Sequence, residues 1–153
     1  MKKQQAMDTL MYEGDIQNSL SLMSEAMNLL KKAIIEGTQM QDKLMLSQQN
    51  TVDIEDVKKV VNNLHISARN ARHIYGEARE TFDGINLKIE EQFARFGNID
   101  TRQYQLLKKL RQQITNAKIT LRGYSINKME ETAYKTVEAI NKATKQHYRY
   151  RSR

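Results

Sequence analysis

From Ile54 to Ile89 the apolar residues of this chain recur at alternating steps of three and four. They are Ile54, Val57, Val61, Leu64, Ala68, Ala71, Tyr75, Ala78, Phe82, Ile85 and Ile89. A helix of 3.6 residues per turn puts such a series on one face, whereas a strand would need a period of two. A stripe this narrow and regular is the seam of a helix that packs lengthwise against other helices. Its middle is thin, and Ala68, Ala71 and Ala78 permit close helix–helix approach. No proline occurs in the 153 residues, so no ring forces any helix to stop early. Gly76 and Gly84 each weaken a helix by about 1 kcal/mol relative to Ala, which predicts a bend or frayed turn between them.

Two further seams flank this one. Ile16, Leu20, Met23, Met27, Leu30 and Ile34 follow the same spacing, with Asp15 after Gly14 placed to cap the start. After Gly37 the seam weakens, Gln41 takes the next core slot, and Leu44 resumes it. Gln48 to Asp53 reads as a turn. Thr51 or Asp53 can cap the next helix, and Asp53 with Asp56 stands at capping-box spacing. Phe96 to Asp100 is the second break, with Gly97 suited to a helix C-cap and Asp100 with Gln103 forming a capping-box start. The third seam runs Leu107, Leu110, Ile114, Ala117, Leu121, Tyr124. It slips phase near Gly123 and resumes as Ile126, Met129, Ala133, Val137, Ile140, a pattern that marks a kink or a local change of supercoil. From His147 the stripe is lost.

The pattern predicts an all-α fold: an elongated antiparallel bundle of three long helices, about 15–48, 53–96 and 100–147, with coiled-coil-like packing in a single helical domain spanning 1–153. Residues 148–153 read as a frayed basic tail. A thin seam suits an internal bundle and an intermolecular coil equally well. Ile54, Val57, Val61, Leu64, Tyr75, Phe82, Ile85 and Ile89 are therefore also the candidate helix-docking seam. Met7, Leu10 and Met11 predict a short apolar N-terminal helix that docks on the bundle or on a partner, because methionine surfaces adapt to varied shapes.

The net charge of +7 is unevenly spread. Residues 101–153 hold thirteen Lys/Arg against three Asp/Glu, while the first hundred residues are slightly acidic. Lys128, Lys135, Lys142 and Arg149 recur every seven residues and share a face. With Lys145, Arg151 and Arg153 they are candidate contacts for an anionic partner such as nucleic acid, an anionic surface or an acidic protein. Lys108, Arg111, Lys118 and Arg122 form a second patch. The competing expectation is a solvated face partly neutralised by the second helix.

Catalytic chemistry finds little here. The chain has no Cys, so thiol nucleophiles, disulfides and Cys-based metal sites are excluded. His73 and Glu77 stand one turn apart without a second suitably spaced His, and His65 and His147 stand alone. All three read as exposed helical histidines. The pairs Glu55/Asp56, Glu90/Glu91 and Glu130/Glu131 point about 100° apart on a helix and make no acid–base pair. Glu77, Glu80 and Asp83 are expected to form salt bridges with Arg79 or the third helix rather than hold a cation. Phosphate-binding loops and nucleophile elbows are missing. No enzymatic activity, catalytic residue, metal or cofactor is expected.

Residues 57–99 carry Tyr75-Gly76, Phe82, Ile85, Gln92-Phe93, Phe96 and Gly97, followed by a further long helix. This stretch resembles the middle of the minor pilins of conjugative type IV secretion systems, found at the pilus tip or stalk, although their turn proline is missing here. The resemblance implies an elongated bundle of long helices and a non-enzymatic role in assembly of the secretion or conjugation apparatus, through protein partners or self-association. The alternative expectations are a cytoplasmic nucleic-acid-binding helical protein and a helical secretion chaperone or adaptor. The apolar runs are too short to span a bilayer, so no transmembrane segment is expected. The N-terminus, with Lys2 and Lys3, lacks the apolar core of a signal peptide. The expected location is the cell envelope or periplasm if a leader has been removed, and the cytoplasm if the chain is complete as given.

Overall fold

The computed structural model describes residues 8–46, 52–95 and 100–151. Four helices account for nearly all of them: α1 Thr9–Leu46, α2 Ile54–Arg95, α3 Thr101–Gly123 and α4 Ile126–Arg151. No strand occurs among the described residues. The fold is all-α, with three helical stretches of which the third is interrupted between α3 and α4. Among the described residues no helix is long and apolar enough to cross a membrane.

The starts follow local chemistry. The Asp8 carboxylate accepts from the Met11 amide at 3.1 Å, so α1 begins about two turns before the expected Asp15 cap, and Gly14 and Asp15 lie inside the helix. Leu10 and Met11 consequently belong to α1 itself, and both are exposed. Met7 lies outside the described residues. The Asp53 carboxylate accepts from the Glu55 amide at 3.0 Å at the head of α2, and the Asp100 carboxylate from the Gln103 amide at 3.0 Å at the head of α3. The turn residues Thr51 and Gly97 fall outside the described residues. The stretch containing Gly76 and Gly84 does not interrupt α2, which runs continuously through both.

The break between α3 and α4 sits where the seam slips. Leu121 to Ile126 is a step of five, too long for either helical spacing. Tyr124 forms a turn, and Ser125 takes φ 53°, a left-handed conformation that costs an L-residue about 1–2 kcal/mol. That single residue re-phases the chain, and α4 then presents Ile126 to its core.

The chain divides into two compact units. One contains Ile74–Tyr124 and the described part of Met1–Ser24. Its core is Ile16 and Met23 from α1, Ala78, Phe82, Ile85 and Ile89 from α2, and Leu107, Leu110, Ile114, Ala117 and Leu121 from α3. Phe82, Ile89, Leu107 and Leu110 are completely buried. The other unit contains Glu25–His73 and the described part of Ser125–Arg153. Its core is smaller in grain, with Ala26, Ala33, Ala68, Ala71, Ala133 and Ala143 between Met27, Leu30, Leu64, Val137 and Ile140.

In this alanine-rich unit α1 departs from the expected seam. The buried series continues Leu30, Ala33, Gly37, Met40, Leu44, while Ile34 and Gln41 are only half-buried. Gly37 explains the choice. A Cβ there would meet the Thr136 methyl at 2.7 Å and Leu64 at 3.0 Å, so the glycine lets α1 approach both α2 and α4. The docking seam read from sequence is spent inside the chain. Val57, Leu64, Phe82, Ile85 and Ile89 are buried, Val61 and Tyr75 half-buried, and Ile54 is 39 % exposed because it lies in the first turn of α2.

Two glycines give opposite expectations. Gly37→Ala should lower stability by about 1–3 kcal/mol through overpacking. Gly84→Ala should raise it by about 1 kcal/mol, since a Cβ there meets nothing within 4 Å. Urea denaturation of the two variants checks both signs. Ser125→Gly should also stabilise, by up to about 1 kcal/mol, because glycine adopts positive φ freely.

Candidate functional site

The basic residues predicted to meet a partner fall into two groups, and the structure treats them differently. On α3 no acidic residue occurs among Thr101–Gly123. Its cations are instead answered from α1 and α2 of the same unit. Arg111 pairs with Glu90 and lies over the Phe93 ring at 4.6 Å. Lys118 pairs with Asp83 at 2.9 Å, and Lys109 reaches Glu13 at 4.0 Å. Lys108 sits over its own helix's Tyr104 at 5.5 Å. These pairs are partly solvent-exposed, so each contributes well under 1 kcal/mol. Their common effect is to neutralise three of the six cations of α3 within the unit. Asp83 meets the third helical stretch, as expected from sequence.

Lys88 belongs to the same set. Its ammonium donates to the Tyr12 hydroxyl at 2.8 Å, and this hydrogen bond, more than the nearby carboxylates, holds its pKa above the ordinary lysine value.

On α4 the heptad strip is exposed but not uniformly basic. Lys135 pairs with Glu131 at 3.0 Å, and Glu138 lies one turn before Lys142 on nearly the same face. Lys128 is exposed near the start of α4, with Glu130 and Glu131 close in sequence. Lys142, Lys145 and Arg149 are exposed and pair with no carboxylate among the described residues. The unanswered charge therefore contracts to the last three turns of α4. The C-terminal end of a helix carries a partial negative charge, so cations there are favoured locally as well. The Arg151 backbone is helical, and Arg153 lies outside the described residues.

Where the stripe was expected to be lost, His147 and Tyr148 are both bonded to the rest of the unit. His147 is only 5 % exposed, against the expected solvent-facing histidine, and its Nδ1 lies 3.2 Å from the Leu44 carbonyl of α1. A carbonyl only accepts, so Nδ1 carries the proton. Nε2 is buried without a partner. The next residue, Tyr148, donates its hydroxyl to the Val52 carbonyl at 2.8 Å. The stripe thus continues past Ile140 through Ala143 to His147. Sequence reading missed it because His was counted as polar, although 140, 143 and 147 keep the three–four spacing.

These two bonds bring the ends of α1 and α2 to the end of α4. Around that place Met45, Leu46 and Ile54 are exposed large apolar residues, and Leu46 is 84 % exposed. Lys142, Lys145 and Arg149 lie on the adjoining turns of α4.

Among the described residues no group of His, Asp and Glu is placed to hold a metal ion. His65 stacks at a tilt on Tyr134, 5.9 Å between centroids. The shallow depression beside it is lined by Arg72, Glu130, Glu131, Tyr134 and Glu138, and Arg72 already bonds Glu130 and Asn127 within it. No family model matches the chain, and neither curated proteins nor solved structures provide a significant match.

The two roles assigned to the end of α4 separate by mutation. His147→Ala should cost about 2 kcal/mol, by opening a cavity and orphaning the Leu44 carbonyl. Lys142→Ala, Lys145→Ala and Arg149→Ala should each stay within about 0.5 kcal/mol of the parent. Thermal denaturation checks both. A neutral His147→Ala would show that the last turns of α4 are not part of the folded core.

Proposed function

We propose that this protein is a non-enzymatic helical interaction protein that docks helix ends and faces onto protein partners, including a second copy of itself. The observation that carries the reading is the exposure of Met45 and Leu46 at the end of α1 and of Ile54 at the start of α2, the two helix ends that His147 and Tyr148 tie to the end of α4. Single exposed apolar residues are ordinary on a soluble surface. Three held at one end of a unit, beside three unpaired cations, make a surface with an apolar centre and a basic rim, the anatomy of a docking patch. The coiled-coil-like, antiparallel bundle is the finer form of this reading. It is supported by the run of ion pairs Asp83–Lys118 and Glu90–Arg111, in which one helix ascends as the other descends.

The particular system is a type IV secretion or conjugation apparatus, in which the chain would serve as a minor pilin-like assembly component. It rests on the resemblance over residues 57–99. Phe93 of that stretch packs edge-on against Tyr104 at 5.8 Å, while Phe96 and Gly97 lie outside the described residues.

Sedimentation velocity across a range of protein concentrations tests the docking reading. The parent should associate reversibly at both low and high salt, because apolar burial is not screened. The triple variant Met45→Ser, Leu46→Ser, Ile54→Ser should remain monomeric with an unchanged helical spectrum. A parent that is monomeric throughout would count against self-association, and association unchanged in the variant would count against this patch.

A second reading is favoured by the unpaired Lys142, Lys145 and Arg149: contact with a nucleic-acid backbone. Three phosphate contacts would lower affinity about fortyfold between 50 and 200 mM salt. Nucleic-acid binding measured at both salts, with the three residues replaced by Ala in parallel, decides it. Absence of binding at 50 mM removes this reading.

A further inference from the structure

Along the contact between α2 and α3 the charged residues form a ladder. Glu90 meets Arg111, and seven residues back on α2 Asp83 meets Lys118, seven residues forward on α3. One more turn in the same sense brings Arg79 level with Arg122. Here the ladder fails: both rungs are arginine, both are exposed, and neither pairs with a carboxylate among the described residues. Asp83, which stands four residues from Arg79 on α2, is engaged by Lys118. These residues line one groove of about 400 Å³, whose walls are Tyr75, Arg79 and Asp83 from α2 and Lys118, Leu121 and Arg122 from α3.

We propose that this groove binds a small organic phosphate monoester, with the phosphate held between Arg79 and Arg122 and its organic part against Tyr75 and Leu121. Four points of chemistry support it. Two guanidiniums facing one space repel each other, and an anion between them converts that repulsion into attraction. Their planar forks match a phosphate bidentately, and both remain charged at any ordinary pH. Three cations against the single carboxylate of Asp83 leave about two positive charges, which match the ~1.5–2 negative charges of a monoester at neutral pH better than the single charge of a diester. A volume near 400 Å³ exceeds what phosphate alone fills and falls in the range of small-ligand sites. Half-buried Tyr75 and buried Leu121 give the remainder an apolar wall.

Lys118 would serve as the third cation, tempered by its bond to Asp83. This makes Asp83 a negative regulator of the groove, because its removal would free the ammonium for the phosphate. The site is distinct from the end of α4 and does not depend on the docking reading.

Titration calorimetry of the full chain with AMP, glycerol 3-phosphate, inorganic phosphate and a short single-stranded oligonucleotide lacking terminal phosphates tests the proposal. AMP should bind with a Kd of about 1 mM or tighter. Arg79→Gln and Arg122→Gln should each weaken it about five- to tenfold, as expected for loss of one charge-assisted contact at a partly exposed site. Asp83→Asn should strengthen it several-fold, an increase that general damage to the fold would not produce. Affinity should also rise between pH 5 and pH 7.5 as the monoester takes its second charge. If AMP and glycerol 3-phosphate bind alike, the phosphate carries the recognition; if AMP binds more tightly, the Tyr75 wall contributes as well. Either result supports the site. Absence of binding by both esters, binding of the oligonucleotide alone, or AMP binding unchanged in the two arginine variants would overturn it.

Discussion

A long helix can bury only one stripe of side chains, and everything outside that stripe must be satisfied by water or by a charge on a neighbouring helix. This constraint governs the whole molecule. With 38 residues in α1 and 42 in α2, and no proline to end either early, the stripe is the only source of tertiary stability available to most of the chain. The two units meet it differently. One fills its core with Phe82, Ile85, Ile89 and the leucines of α3. The other relies on alanines and on Gly37, trading side-chain bulk for close backbone approach. Such a core tolerates little: a single added methyl at Gly37 meets atoms on both neighbouring helices.

The charge distribution follows from the same geometry. A net charge of +10 on the last third looks, in sequence, like a surface meant for an anionic partner. In the folded chain half of the cations of α3 are answered by Glu13, Asp83 and Glu90, residues far away in sequence. Those without a carboxylate partner among the described residues include Lys142, Lys145 and Arg149 on the last turns of α4 and the Arg79 and Arg122 rung. Surface pairs of this kind add little stability. They do decide which cations of α3 keep their charge unanswered.

The end of α4 shows how apolar and polar requirements are met together. His147 and Tyr148 tie the ends of α1 and α2 by hydrogen bonds to carbonyls at or beyond the helix ends, groups that have no partner within their own helix. Having done so, they leave Met45, Leu46 and Ile54 on the outside.

The amino-acid sequence by itself determined the helical class, the seams of the second and third stretches, the Asp100 cap, a choice of Thr51 or Asp53 at the head of α2, and the phase slip near Gly123. Each of these is written in spacing along one helix, where period and capping chemistry are local. It also showed the basic residues, as types and positions. Tertiary structure alone decided that α1 turns Gly37 and Met40, rather than Ile34 and Gln41, towards its neighbours. At the first of these positions side-chain hydrophobicity favours Ile34, and only the closeness of α2 and α4 makes the glycine the better fit. It likewise decided that His147 is buried, that Ile54 is not, and that Arg79 and Arg122 line one groove while Lys118 finds Asp83. Those outcomes depend on which residues of different helices come level with one another. That register is set by the packing of whole helices and leaves no trace in the spacing of any one of them.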